Sequence, residues 1–393
     1  MSWPMVEIGS VVSALSGFAW KSSNYTSMKK NAMPIIRIQN VGECNTPQDF
    51  VYWDEQYDNK YIVSSGDILV SLSGNVKVGI WEEPDALLNQ RIVKLVPGDE
   101  IDKDYFYYSV LNNVNDISNL GKKAVISNIS VNDLKKIVIP LPPLSVQKKI
   151  SVNLKNADLL KKQYEKMSAE LNALAQAVFF EMFGDPERNS KKLPFKEFKN
   201  LLSELRNGIS PSNDGAVDYK VLTLSAVTKN YFNRDSVKLG TFNEIPPSSK
   251  HIKVNDLLIC RGNGNIKLVG RAVVAGGNMG DVVFPDTIIG ASVNQEIINT
   301  EYLSHYWKLP MVRNHIESGA RTTNGTYKIN QKVIESIPIM VPSIELQIEF
   351  AQKIAKIKLL MSLSHDKEAM LNSYFNGFMQ HAFSGKLDLK KVA

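Results

Sequence analysis

The residues in this 393-residue chain most able to do chemistry are five histidines, two cysteines and a few carboxylate and glycine strings. His251, His305, His315, His365 and His381 fall at no spacing that would aim several imidazoles at one ion, and they read as surface or capping residues. Cys44 and Cys260 sit far apart with no CxxC or Cys/His cluster beside either. That argues against zinc, suits a reducing cytoplasm and leaves both as small buried hydrophobes. No HExxH, GxSxG or P-loop string occurs. Gly262-x-Gly264 lacks the third glycine of a dinucleotide turn. The Asn-Pro-Pro-aromatic motif of amino-methyltransferases is missing, because Pro142-Pro143 follows Leu141 and Pro246-Pro247 follows Ile245. Pro186-Glu187 with Glu197-x-Lys199 can be strung into a nuclease-like set, but it straddles a linker and such strings arise by chance. No metal or cofactor is expected in this chain, and the missing catalytic signatures point to binding.

What remains is a set of small-polar and basic loops. Lys and Arg can neutralise phosphates, while Ser, Thr, Asn and Gly allow close approach and hydrogen bonding to base edges. One loop carries Lys21, Ser22, Ser23 and Tyr25; its counterpart carries Asn207, Ser210 and Ser212. Asn75 and Lys77 belong to a second loop, matched by Arg261 and Asn263. Lys122 and Lys123 belong to a third, matched by Arg321, Thr322 and Asn324. The net charge of +6 mildly favours an anionic partner without proving one.

The elements that must hold these loops are duplicated. Leu141 to Phe183 aligns without a gap with Val341 to Phe383: Pro142 with Pro342, Gln147 with Gln347, Leu171-Asn172 with Leu371-Asn372. Repetition at a fixed offset dictates architecture more strongly than any single motif. Upstream of each block lie short runs rich in β-branched and aromatic residues: Pro34–Ile38, Tyr61–Val63, Asp67–Ser71, Lys77–Trp81 and Arg91–Val96. Ser10 to Leu15 and Asp104 to Val114 read as helices. The order recurs after Asp185: Leu193-Pro194 echoes Trp3-Pro4, Lys220–Leu224 echoes 34–38, and Val254–Ile259 echoes Ser65–Val70. Glu301 to His315 stands for the 104–114 helix. Apolar content of 44% and charged content of 22% are those of a globular protein, and no apolar run is long enough to span a membrane.

Each repeat closes on a long amphipathic helix. Ala157, Leu160, Tyr164, Met167, Leu171, Leu174 and Val178 alternate steps of three and four, a coiled-coil seam. The second seam runs through Ile354, Ile357, Leu360, Leu371 and Tyr374, with Ser364 and Lys367 interrupting it. Two matching helices can bury both seams by pairing antiparallel, so aspartate at Leu160 together with Leu360 is expected to loosen the pair. About 39 residues at 1.5 Å each make a rod of roughly 58 Å. The expected fold is mixed α/β: two β-rich globules, 1–143 and 185–343, joined by helices 144–184 and 344–384 around an approximate two-fold axis, with a tail at 385–393.

The duplicated set resembles the specificity subunit of type I restriction-modification systems. The resemblance is carried by IVIPLPPLSVQKKI and IPIMVPSIELQIEF, by LNALAQAVFFEMF and LNSYFNGFMQHAF, and by the GDILVS and NDLLIC turns. It spans the chain, with Pro342-Ser343 in place of a second proline pair. It implies a non-catalytic reader of double-stranded DNA in the cytoplasm, whose two target recognition domains each read half of a split, asymmetric site. It further implies that the helices space the domains and dock two methyltransferase subunits, with restriction (motor) subunits added. S-adenosylmethionine, ATP and magnesium would belong to those partners. Half-sites on one DNA face lie about 34–36 Å apart or a multiple of it, a separation such a rod can impose. The alternative is a duplicated coiled-coil adaptor for other proteins, without DNA readout.

Overall fold

The computed structural model describes residues 3–28, 30–73, 76–114, 129–229, 231–277, 279–323 and 325–384. Asn75, Lys122, Lys123, Asn324 and the tail at 385–393 lie outside them. The chain divides into two compact units: Met1–Lys166 with His365–Ala393, and Met167–Ser364. The division passes through both long helices, Leu144–Phe183 and Ile344–Phe383, so each unit contains the start of one and the end of the other.

In the first unit the strands Val12–Ser16, Ile92–Pro97, Ile68–Ser71 and Val78–Ile80 form an antiparallel sheet in that order. A second sheet orders Val51–Trp53, Met33–Ile36, Ala86–Leu88 and Ile62–Val63, with the central pair parallel. Ser10 to Leu15 was expected as a helix. Only Ile8–Val11 is helical, because Val12–Ser16 finds a partner strand in Ile92–Pro97 whose hydrogen bonds outweigh a weak local preference. Lys103–Asn112 is the expected helix, capped by Asp102, whose carboxylate accepts from the Tyr105 amide.

The second unit repeats this topology. Leu202–Asn207, Ile288–Val293, Leu257–Cys260 and Ala272–Val274 form the first sheet, and Val237–Phe242, Val217–Leu222, Met279–Val283 and His251–Ile252 the second. Again one central pair is parallel, Val217–Leu222 with Met279–Val283. The stretch from Glu301 to His315 is not one helix. It breaks into Thr300–Tyr306 and Pro310–Gly319, since Pro310 has no amide hydrogen to continue the first.

The duplicated prolines and glutamines are structural. Met5–Glu7 pairs with Val138–Pro140, and the Leu141 amide donates to Pro4 O at 2.8 Å. Phe195–Glu197 pairs with Pro338–Met340, and the Val341 amide donates to Pro194 O at 2.8 Å. Gln147 is fully buried: its Nε2 donates to Pro142 O (2.7 Å) and Glu100 O (3.2 Å), and its Oε1 accepts from the Asp102 amide (2.8 Å). Gln347 does the same with Pro342 O, Ile297 O and the Asn299 amide. Each glutamine thereby ties the start of a long helix to the cap of the shorter helix before it.

Both seams keep their 3.5-residue period but lie one position from half of the expected residues. In the first helix the inward positions are Ile150, Leu154, Ala157, Lys161, Tyr164, Ser168, Leu171, Ala175 and Val178. In the second they are Phe350, Ile354, Ile357, Met361, Ser364, Glu368, Leu371, Phe375 and Phe378. Leu160 (43% exposed), Met167, Leu174, Leu360 (53%) and Tyr374 therefore face out, and the expectation that Leu160 and Leu360 hold the helices together is corrected. Counting apolar residues favoured the larger leucines, whereas close approach of two helices selects small ones such as Ala157 and Ala175. Ser364 is not an interruption: it is buried, its Oγ 3.3 Å from Ser168 Oγ. Within the second unit the segments run antiparallel, from Ser168–Ser364 at one end to the Phe183–Phe350 ring pair (5.3 Å) at the other. In the first unit Ile150 and Leu154 share a core with Phe378, Met379, Ala382 and Phe383.

Candidate nucleic-acid interface

In the second unit, loops distant in sequence meet. Gly262–Asn263, Thr326–Lys328 and Arg321–Thr323 form a three-stranded sheet in that order. The hairpin register sets Arg321 opposite Lys328, with Gly262 on the other side of Lys328. Among the described residues neither cation has a carboxylate partner. Like charges directly opposite on a hairpin are destabilising in water, so an anion above them would relieve a built-in repulsion. Arg321, Thr322 and Lys328 are exposed.

Two further loops join this surface through Asp286. Ser210 Oγ donates to Asp286 Oδ1 at 2.6 Å, and Arg261 Nη1 donates to the Asp286 carbonyl at 3.2 Å. The structure thus brings Ser210, Arg261, Asn263, Arg321 and Thr322 into one connected network. Asn263 spends its side-chain carbonyl on the Asn265 amide (2.9 Å), shaping the turn. Asn207 sits at the end of its strand, where its backbone carbonyl accepts from Lys250 Nζ (2.7 Å) and its own Oδ1 is buried without a hydrogen-bond partner among the described residues. Ser212 braces the loop through backbone bonds with Thr241.

The loop's course is set from beneath. Arg206 is buried against Asp256, whose other oxygen accepts from Ser292 Oγ at 2.6 Å, and Arg206 Nη2 donates to His251 O at 3.1 Å. Fully desolvated charges are tolerable only when paired and hydrogen-bonded in this way. Gly208 lies two residues on from Arg206, and a Cβ there would collide with the carbonyls of Phe284 and Pro285. Gly17 is in the same situation against Asn89 in the first unit. There the partner of Asp67 is Lys94 (2.9 Å), offered by a neighbouring strand of the equivalent sheet rather than by the counterpart of Arg206.

The first unit's loop is built differently. Gly17 leads into Phe18 and Trp20, whose rings pack with Trp53 and Tyr61, and Trp20 Nε1 donates to Leu88 O. Lys21, Ser22 and Ser23 stand exposed on the turn above, with Tyr25 half-buried and its hydroxyl 3.4 Å from Trp20 O. Lys77 Nζ lies 2.6 Å from Glu43 Oε1, so its charge is already paired. The reading by position and residue type missed Asp286 and Lys328, which organise the second unit's surface. The register of a hairpin was the missing signal, and no spacing rule supplies it.

Residues 2–173 match the family model described as the type I restriction modification DNA specificity domain. The EcoKI specificity subunit of Escherichia coli K12 is 24% identical over 420 residues, covering 98% of this chain and 89% of the relative. The EcoBI specificity subunit of Escherichia coli is also 24% identical, covering 98% and 86%. A solved S subunit from M. genitalium matches with a TM-score of 0.63 at 15% identity, over 98% of this chain and 96% of that one, a likeness of fold. The matched domain lies in the first repeat, and the second repeat carries the same sheets, helix order and glutamine clip. Over 98% of its length the chain is similar to specificity subunits of type I restriction-modification systems, and its first repeat matches the model of their DNA specificity domain.

Proposed function

We propose that this chain selects the DNA on which a type I restriction-modification complex acts, each unit reading one half of a bipartite, asymmetric duplex site. The observation that carries the reading is the cation couple Arg321–Lys328, without a carboxylate partner among the described residues, on a sheet that also gathers Asn263 and Thr322, groups suited to phosphates and base edges. Dissimilar loops on a shared scaffold favour dissimilar half-sites: aromatic residues back the turn at 21–25, whereas a carboxylate and two basic strands organise the second unit. The chemistry falls to partners, two methyltransferase subunits and restriction subunits, which would bring S-adenosylmethionine, ATP and magnesium in the cytoplasm. The outward Leu160, Met167, Leu174, Leu360 and Tyr374 are the residues we assign to docking them. The adaptor alternative is not favoured, because the relatives are specificity subunits. Replacing residues 1–140 by those of a relative, with the methyltransferase present, tests the reading. Methylome sequencing should show one half of the modified sequence altered and the other retained; both altered, or neither, refutes it.

A further inference from the structure

The second unit has a cleft of about 480 Å³ that the reading loops do not use. Among the described residues, Lys229, Lys267, Arg271, Lys308 and Arg313 line it, against a single carboxylate, Glu317. That carboxylate is already engaged by Arg313 Nε at 2.9 Å. Both guanidiniums are fixed by backbone carbonyls: Arg271 Nη1 donates to Thr228 O (2.9 Å) and Arg313 Nη1 to Val269 O (2.6 Å). Arg313 Nη2 is buried with no hydrogen-bond partner among the described residues. Burial holds the Arg313 guanidinium below its ordinary basicity in spite of Glu317 beside it. Gly270 and Trp307 form the floor, the indole donating to Gly270 O at 2.9 Å.

Both walls of the cleft are continuous with the reading surface. The turn Ile266–Leu268, which carries Lys267, begins three residues after the strand Gly262–Asn263 ends. Helix Pro310–Gly319, which carries Arg313, runs straight into Arg321–Thr323. We infer that the cleft grips phosphodiester groups of the DNA backbone beside the half-site this unit reads, supplying affinity without sequence choice. This rests on the DNA-reading assignment above and divides the labour within it: Arg321 and its neighbours discriminate, and Lys267, Arg271, Lys308 and Arg313 hold. A free mononucleotide offers the same phosphate chemistry and fits the volume. The continuity of both walls with the loops favours the duplex.

The test uses the full chain with its methyltransferase partner. Lys267→Gln with Lys308→Gln removes two charges whose side chains make no hydrogen bond among the described residues, so the fold is not at stake. Binding to a cognate and a scrambled duplex is measured between about 50 and 200 mM salt. The double variant should weaken both duplexes by the same factor and lower the salt slope by about 1 to 2, with the methylated sequence unchanged. Arginine at both positions should restore the slope. A wild-type slope in the double variant overturns the cleft as a backbone grip, as does ATP binding that is lost in the variant while duplex binding is retained. Arg321→Ala separates the two levels of failure. If it alone impairs recognition, the DNA-reading assignment stands without the cleft; if neither variant affects duplex binding, that assignment falls too.

Discussion

Gln147→Met is nearly isosteric but removes every polar atom from the clip at the start of the first long helix. It would leave one donor, the Asp102 amide, and two acceptors, Glu100 O and Pro142 O, without the partner they now share. The glutamine side chain and its bond to Pro142 O are buried and the other two bonds part-buried, so water has limited room to replace the amide. Each stranded buried group costs about 1–3 kcal/mol, so three give roughly 3–6 kcal/mol once partial relaxation is allowed. The loss concentrates where the cap of helix Lys103–Asn112 meets the long helix. Hydrogen exchange read peptide by peptide should therefore show the amides around Asp102 opening more easily, by about a hundredfold for the lower figure. Gln347→Met should do the same around Asn299. Gln147→Glu is a sharper probe, since a carboxylate can accept from the Asp102 amide but cannot donate to the two carbonyls; it should be no better than Met. Unchanged exchange around Asp102 in Gln147→Met, with a stability loss below about 1 kcal/mol, would refute the claim that the motif's glutamine is a structural clip.

Three other outcomes follow from the geometry. Leu160→Asp with Leu360→Asp should alter the chemical-denaturation midpoint little, whereas Ile354→Asp, at a position with no exposure, should cost about 3 kcal/mol or more. Gly208→Ala should distort the Asn207–Ser212 loop, because a Cβ there meets two carbonyls; urea denaturation should show a loss of more than about 2 kcal/mol, while Gly264→Ala, with open space around it, changes little. Glu301 is subject to burial, which would raise its pKa, but the contact with His305 Nε2 (3.2 Å) and the charge and hydrogen bond of Lys358 (2.7 Å) outweigh it and bring it down to about 2. A depressed carboxylate contributes stability above its unfolded pKa and loses it on acidification, so the second unit should weaken as pH falls from about 4.5 towards 2. Glu301→Gln should flatten that loss, on the order of 3 kcal/mol, in acid titrations followed by circular dichroism.

Much of this protein could be read from its residues. The 200-residue offset that aligns Pro142 with Pro342 and Gln147 with Gln347 required two units of one topology, and the two four-stranded sheets and the two-stranded pairing repeat strand for strand. The 3.5-residue period was visible as well, since step size depends only on which residue types recur. Its phase was not visible. Leu160 and Lys161 are neighbours, and only the proximity of a second helix decides which of them turns inward and why Ser364 is welcome beside Ser168. The strand at Val12–Ser16 was hidden for a similar reason: its partner lies some eighty residues onward, and local propensity carries no information about that distance. The binding surface divides in the same way. Residue type marked Arg261, Asn263, Arg321 and Thr322 as able to meet an anion, because charge and hydrogen-bonding capacity are properties of single side chains. That Asn263, Arg321 and Thr322 share one sheet, that Arg321 faces Lys328, and that Lys77 is already occupied by Glu43 are facts of register and proximity, which arise only when distant segments are packed together.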